Sequence, residues 1–165
     1  MDEAGLLHFL SEHGIAYQRF DHPPVYTVEQ AKRVKGDAPG VGTKNLLLCE
    51  KRSGRCFFVM VGDARHIDIR QLQQVLGVGD LQFATPQMLQ QHLGVEPGAV
   101  TALALINDTA QALTVLVDRG LWQAQALQCH PLVNTATLVI SQPDLERFFA
   151  LTGHAIQILD IPAKT

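Results

Sequence analysis

Residues 44–61 read KNLLLCEKRSGRCFFVMV. Two apolar runs, over residues 44–49 and 56–61, flank a turn at Arg52-Ser53-Gly54-Arg55. Runs of this length on either side of a glycine-containing turn are typical of a β-hairpin. Because the first run opens on polar residues, the predicted hairpin carries a lysine, Lys44, at its entrance.

Helices and strands are predicted on both sides of this hairpin. Asp68 and Thr85 can cap helices that stop at Gly77 and Gly94. Further helices are predicted over residues 6–14, after Thr27, and over residues 143–151. Further strands are predicted over residues 17–20, 101–106, 113–117, 124–128, 137–140 and 156–159. Since no regular βαβ repeat emerges, the expected fold class is α+β, with a mixed or antiparallel, partly closed sheet.

The length and composition of the chain limit the number of domains and the strength of nucleic-acid binding. Its 165 residues are 47% hydrophobic, which predicts a single domain over residues 1–165 with a sizeable core. Charged residues make up 18%, and the net charge is -3, so no overall basic field exists to hold nucleic acid tightly. Any contact with nucleic acid must therefore use a local basic patch and be weak or transient.

The chain carries signals of its compartment. Its opening residues lack a basic leader, and no apolar run approaches the roughly 18 residues that span a bilayer, so we expect a cytoplasmic protein with no membrane partner. Three cysteines, Cys49, Cys56 and Cys129, are an odd number in a chain large enough to fold without disulfides. We interpret them as small buried apolar side chains in a reducing compartment.

Several common catalytic signatures are missing from the sequence. No serine lies in a Gly-x-Ser-x-Gly elbow, and in Gly40-Val41-Gly42-Thr43-Lys44 the lysine does not directly follow a glycine as a phosphate-binding loop requires. The histidines and cysteines do not have zinc-ligand spacing. The sequence therefore implies neither a metal nor another cofactor.

Three polar islands stand among the apolar strands: Thr43-Lys44-Asn45, Asn107-Asp108 and His130-Pro131-Leu132-Val133-Asn134. Each has a plain structural explanation as a solvated lysine, a turn or a loop. Alternatively, strand ends bring these groups to one pocket, where a lysine can hold an anion or a carbonyl oxygen and Asn and His can orient water.

The three islands form part of a set of ordered motifs that resembles the YbaK/ProX family. The motifs are His22-Pro23-Pro24-Val25-Tyr26-Thr27-Val28-Glu29, Thr43-Lys44-Asn45-Leu46, Gly94-Val95-Glu96-Pro97-Gly98, Leu105-Ile106-Asn107-Asp108, His130-Pro131-Leu132-Val133-Asn134-Thr135-Ala136-Thr137 and Thr152-Gly153-His154. This family comprises the editing domain of bacterial prolyl-tRNA synthetase and its free-standing homologues. The pattern is most similar to the free-standing deacylases that remove alanine from tRNA(Pro).

The resemblance implies an α+β fold around a barrel-like mixed sheet, hydrolysis of a mischarged aminoacyl-tRNA, no metal and no protein nucleophile. It implies that Lys44 is the catalytic residue at the pocket mouth. The residues that it assigns to substrate binding are Thr43, Asn45, Ala104, Asn107, His130 and Asn134. The expected partner is mischarged tRNA(Pro), held transiently, with prolyl-tRNA synthetase or an elongation factor as further partners.

For tRNA contact we expect Lys51, Arg52 and Arg55, in the hairpin turn near Lys44, with Lys32, Arg33 and Lys35 as a second patch. A solvated turn is the plain alternative explanation of the first patch. With an acidic net charge, affinity should be modest and should fall steeply with salt.

One stretch departs from the family pattern. Thr101-Ala102-Leu103-Ala104-Leu105 replaces the Thr-Pro-Phe-Gly-Leu of many relatives, and the Ala104 methyl group would narrow the pocket. The competing functions are a binding module for an aminoacyl end, a synthetase or an elongation factor, and a small-ester hydrolase. A DNA-binding regulator is disfavoured because no basic recognition helix is visible.

Overall fold

The computed structural model describes residues 1–24, 29–30 and 38–164. Its strands are β1 (Gln18–Asp21), β2 (Val41–Glu50), β3 (Cys56–Gly62), β4 (Leu81–Phe83), β5 (Thr114–Asp118), β6 (Ala126–Cys129), β7 (Ala136–Ser141) and β8 (Ile156–Leu159). Its helices are α1 (Glu3–Glu12), α2 (Ile69–Leu76), α3 (Pro86–Leu93), a 3₁₀ helix (Ala102–Asn107), α4 (Arg119–Trp122) and α5 (Gln142–Thr152). Within these residues no helix combines the length and apolar character needed to cross a membrane.

The strands form a mixed sheet in the order β1-β7-β6-β2-β3-β5-β8, with β4 paired to β2 beside this path. The predicted α+β fold with a mixed sheet is confirmed. The sheet is not closed by hydrogen bonds, because over the described residues β1 and β8 end the order without pairing to each other. β2 joins β6 through only Val41 and Gly42, so the two halves of the sheet diverge before the outer strands can meet.

The side chains of β2 divide between two apolar cores. Leu47 and Cys49 belong to the larger core, which also contains side chains of α5 and the 3₁₀ helix. Leu48 belongs to a smaller core that includes Leu72 of α2. Because successive side chains of a strand alternate between its faces, odd-numbered residues of β2 face the larger core and even-numbered residues the smaller one.

Local capping signals set most helix ends as the sequence predicts. Asp68 and Thr85 accept hydrogen bonds at the starts of α2 and α3, and Gly77 and Gly94 end these helices in the left-handed conformation. The predicted strand over residues 101–106 is wrong, because these residues form the 3₁₀ helix, with Ala102–Leu105 fully buried. A short run that is apolar on every side does not distinguish a buried strand from a buried helix.

Two of the three cysteines differ from the prediction. Cys49 and Cys56 are directly opposite each other on β2 and β3 and form a disulfide, so they are not separate apolar side chains. The hairpin itself brings the two sulfurs together, because its register pairs these positions. Cys129 is buried in the larger core and takes no part in this disulfide, as expected.

Candidate active site

The candidate site lies where one edge of β2 has no paired strand. Along the edge away from β3, β2 pairs with β6 at Val41 and Gly42 and with β4 from Leu48 to Glu50. Between these contacts, residues 43–47 have no strand partner on that side within the described part of the chain. We call this segment the open edge.

Backbone hydrogen bonds show which groups point into the open edge. Asp63 N–H donates to the Gly42 carbonyl and Glu50 N–H donates to the Arg55 carbonyl, so even-numbered residues of β2 direct their backbone groups toward β3. In an antiparallel pair the intervening residues direct theirs the other way. The Leu47 carbonyl accordingly accepts from Ala84 N–H of the segment that follows β4. The N–H and carbonyl of Asn45 therefore face the open edge.

Thr43 and Asn45 form a short hydrogen-bonded chain on the larger-core face. Thr43 Oγ1 donates to the Gln128 carbonyl at 2.6 Å, and Asn45 Nδ2 donates to Thr43 Oγ1 at 3.3 Å. Because the hydroxyl proton of Thr43 is already used, the atom of Asn45 nearest to it must be the amide nitrogen. Asn45 Oδ1 is then left buried without a hydrogen-bond partner, the one such side-chain atom among the described residues.

His130 leaves β6 beside this open edge. β6 runs parallel to β2 with Gly42 opposite Gln128, so the continued register brings His130 level with Lys44. His130 Nδ1 donates to the Ala136 carbonyl at 3.0 Å, which sets the ring orientation. The ring of His22 lies 6.4 Å from it, centroid to centroid.

Two contacts tie His22 to the same loop and to β7, and a third, with Pro23, orients its ring. Its backbone N–H donates to the Thr135 carbonyl, and its Nδ1 donates to the Pro23 carbonyl at 2.9 Å. Its Nε2 forms a hydrogen bond with Thr137 Oγ1 at 2.9 Å. His22 and Thr137 were not predicted as site residues, although His22 opens the first of the family motifs.

The loop between β6 and β7 is held in a strained conformation. Leu132 has φ 70°, a left-handed backbone that costs a non-glycine residue about 1 to 2 kcal/mol. Its side chain is buried in the larger core, and this burial offsets the strain. The loop thereby holds His130 at one end and Asn134, which lies in its final turn, at the other.

Lys44 lies on the opposite face of β2 from Thr43 and Asn45, because it is an even-numbered residue of the strand. Partial burial lowers the pKa of its ammonium, and the nearby Asp63 carboxylate partly offsets this effect. Asp63 lies directly over Gly42, where any Cβ would clash with its carboxylate. The structure thus places Thr43 and Asn45 on one face of β2 and Lys44 on the other, and it brings His130 level with Lys44 beside the open edge.

The two remaining predicted residues, Ala104 and Asn107, lie on the 3₁₀ helix. Ala104 is fully buried in the larger core. Asn107 accepts from the Met1 ammonium at 2.8 Å, and its Nδ2 donates to the Leu93 carbonyl at 2.9 Å and to the Met1 carbonyl at 3.2 Å. These contacts hold the chain start against the end of α3, so both polar atoms of Asn107 have structural partners.

The basic hairpin turn is at the far end of β2 and not near Lys44. Lys51 follows Lys44 by seven positions, a distance of about 23 Å along an extended strand. Lys51, Arg52 and Arg55 are exposed, and the Arg55 guanidinium lies 4.8 Å from the centre of the Phe57 ring. The second predicted patch, Lys32, Arg33 and Lys35, lies outside the described residues.

Comparison with known proteins identifies the family. A sequence model of the aminoacyl-tRNA editing domain matches residues 22–148. The chain belongs to the aminoacyl-tRNA editing domain family. The match begins at His22 and contains β2, the open edge and the His130 loop.

Similarity to individual proteins supports the same family assignment. The zebrafish (Danio rerio) prolyl-tRNA synthetase associated domain-containing protein 1 is 37% identical over 153 residues, which cover 92% of this chain and 83% of that relative. The prolyl-tRNA editing protein ProX of Acetoanaerobium sticklandii is 30% identical over 152 residues, covering 92% and 93%. The predicted relationship to ProX is thereby confirmed.

A solved structure described as a candidate trans-editing enzyme for prolyl-tRNA synthetase has the same fold. It superimposes with a TM-score of 0.71, covers 99% of both chains, and is 19% identical in sequence. At this identity the superposition supports the fold alone.

Proposed function

We propose that this protein hydrolyses the ester bond of mischarged tRNA(Pro), with alanine as the amino acid that it removes. The observation that carries the proposal is the buried, unpartnered Asn45 Oδ1 beside the open edge. A buried acceptor without a donor costs about 1 to 3 kcal/mol, so it is retained where a ligand supplies the donor. The α-ammonium of an aminoacyl ester is such a donor.

The two faces of β2 suggest how the substrate lies. The aminoacyl group lies at the open edge, between Thr43 and Asn45 of β2 and the loop that carries His130 and Asn134. The terminal nucleotide crosses the open edge, and its phosphate meets the ammonium of Lys44 on the other face. This placement gives each end of the substrate a group of matching charge or hydrogen-bonding type.

The chemistry needs no protein nucleophile. The free ribose hydroxyl next to the ester can activate a water molecule that attacks the carbonyl, provided that the ester is held in a reactive geometry. The C–O bond to the ribose then breaks, the amino acid leaves as a carboxylate, and the ribose oxygen takes up a proton. Lys44 and Asn45 supply this placement by binding the two sides of the ester. The expectation of a nucleophile-free reaction agrees with the lack of a Ser, Cys or Thr triad in the family motifs of the chain.

Size explains the choice of alanine. A synthetase pocket for proline rejects a smaller amino acid weakly, because each missing methylene is worth only about 1 to 3 kcal/mol. A second pocket that is too small for proline provides the missing discrimination. Ala104, buried in the core that Leu132 also joins, adds a methyl group where many relatives have glycine and so favours a small side chain.

The basic turn contributes a weaker contact. Lys51, Arg52 and Arg55 are placed to meet the duplex of the acceptor stem, about 23 Å from Lys44 along β2. A few phosphate contacts on a chain of net charge -3 give an affinity that falls as salt rises.

The test is release of labelled amino acid from Ala-, Ser-, Cys- and Pro-tRNA(Pro). We expect alanine to be released and proline spared, and Lys44→Ala to lower kcat/KM by about 10²- to 10³-fold. Lys164→Ala, an exposed lysine near the chain end, is the matched control and should retain wild-type rates. Release of a different amino acid would reassign the substrate, and binding without turnover of any charged tRNA would identify a binding module.

A further inference from the structure

An exposed aromatic side chain lies on the Lys44 face of the sheet. Phe83 ends β4 directly opposite Leu48, so it shares the face of Leu48, Leu46 and Lys44. It is 60% exposed, whereas Leu48 beside it is fully buried. An aromatic ring open to solvent thus lies beside Leu48, on the same face of the sheet as Lys44.

We propose that Phe83 stacks on a base of the single-stranded 3′ end of the tRNA. This inference rests on the proposed function, because it assumes that Lys44 receives the terminal nucleotide. Stacking on an exposed aromatic ring is the usual way in which proteins hold unpaired bases without reading their sequence.

The spacing fits a short nucleotide strand. Phe83 lies about 14 Å from Lys44, from four residues of about 3.3 Å along β2 and one strand spacing of about 4.8 Å. A stacked strand rises about 3.4 Å per nucleotide. A few nucleotides therefore cover the distance, which is comparable with the unpaired end of a tRNA.

The charges along this face also fit. Lys44 lies at one end of the face, and Arg55 lies at the other, over Phe57, the residue paired with Leu48 from β3. Phe83 is therefore between two cations that can meet phosphates on either side of a stacked base. The acidic Glu50 on this face is engaged by Ser53 and by the Gly79 N–H.

A second copy of the chain is a poorer fit to this surface. β4 has three residues, so its outer edge offers few backbone groups for strand pairing. A single exposed ring flanked by cations matches a base and its phosphates better than it matches an apolar protein surface.

The first experiment compares Phe83→Ala, Phe83→Tyr and Val75→Ala in deacylation of charged tRNA. Val75 is the matched control, since it is 58% exposed on α2. We expect Phe83→Ala to raise KM by about 5- to 150-fold with kcat unchanged, as for loss of one stacked base. Phe83→Tyr should restore the wild-type KM, and aminoacyl-adenosine, which has no preceding base, should be hydrolysed equally by all variants.

The second experiment does not depend on activity. Fluorescence anisotropy measures binding of an uncharged single-stranded RNA ending in CCA and of the same RNA with abasic positions. We expect Phe83→Ala and the abasic positions to weaken binding to the same extent, and not additively. If wild type deacylates nothing but this dependence holds, the proposed function fails and stacking stands. Equal RNA binding by wild type and Phe83→Ala, or a dimer that Phe83→Ala dissociates without affecting RNA, would overturn the inference.

Discussion

Two polar regions of this protein differ in how their hydrogen bonds are satisfied. In the first, Asp108 and His154 form a buried pair at 2.9 Å, with side chains 4% and 1% exposed. Asp108 also accepts from the N–H groups of Ala112 and Leu113, and His154 Nδ1 contacts Thr152 Oγ1 at 2.9 Å. In the second, the open edge of β2, Asn45 Oδ1 is buried without a partner.

This difference distinguishes polar groups that stabilise the fold from polar groups that are available to a substrate. A buried polar group whose bonding capacity is filled within the protein stabilises one conformation. The Asp108–His154 pair does this by joining the segment after the 3₁₀ helix to the residues after α5. A buried acceptor left unfilled weakens the free protein and favours binding of a donor, which is the behaviour of a substrate site.

The largest expected effect comes from breaking the scaffold pair. Asp108→Ala should lower the free energy of unfolding by about 3 to 5 kcal/mol, because it leaves His154 buried without its partner. Urea denaturation measures this change. The exposed Asp160, which pairs with Arg119 at the surface, is the control, and Asp160→Ala should cost about 0 to 1 kcal/mol. Equal losses of unfolding free energy in the two variants would show that the buried pair contributes no more to stability than the surface pair.

At the open edge we expect a smaller effect, which lowers activity and not stability. Asn45→Leu should lower kcat/KM by about 10- to 100-fold, the loss of one hydrogen bond to a charged group. Its free energy of unfolding should be unchanged or raised by about 1 kcal/mol, because the unpartnered acceptor is removed. Kinetics and denaturation on the same preparation measure both quantities.

Asn107→Leu is the matched comparison for Asn45→Leu. It should cost about 1 to 3 kcal/mol of stability, because the Leu93 carbonyl and the Met1 ammonium lose their partner. If Asn107→Leu instead abolished turnover with stability intact, Asn107 would belong to the substrate site after all.

The smallest effect is a shift in the pH dependence of activity. Burial lowers the pKa of Lys44, so its positive charge, and with it kcat/KM, should be lost at a lower pH than for a solvated lysine. Asp63 raises this pKa, so Asp63→Asn should move the alkaline limb to still lower pH. The alkaline limb is measured from initial rates of deacylation at increasing pH, corrected for spontaneous hydrolysis of the ester.

Glu50→Gln provides the control for the pH experiment. Glu50 lies on the same strand face as Lys44 but at the opposite end of β2. Its removal should leave the alkaline limb in place. A limb that moved equally with Glu50→Gln, or did not move with Asp63→Asn, would argue against Lys44 as the titrating group.

Local signals predicted many elements of the fold. The N-caps Asp68 and Thr85, the stops at Gly77 and Gly94, and the hairpin of β2 and β3 all follow from neighbouring residues. The short strand β4 and helix α4 were missed, since three or four residues carry too little periodicity to detect. The 3₁₀ helix was mistaken for a strand because burial on every side removes the alternation that separates the two.

The family could be predicted from the sequence, but the geometry of the candidate site could not. The motifs around Lys44 and His130 lead to the editing family, which the sequence comparison confirms. Adjacency in sequence suggested that Lys44 and Asn45 share one pocket. The pleat of β2 puts their side chains on opposite faces instead.

By itself the sequence determined the family, the α+β class and the ends of most helices, because caps, turns and motifs depend on residues close together in the chain. The tertiary structure alone decided that β6 and β4 leave residues 43–47 of β2 without a strand partner on the edge away from β3, within the described part of the chain. It also decided that Asn45 Oδ1 has no partner while Asp108 and His154 satisfy each other. Pairing between strands and burial of polar groups depend on residues far apart in the chain, and no local pattern of side chains specifies them.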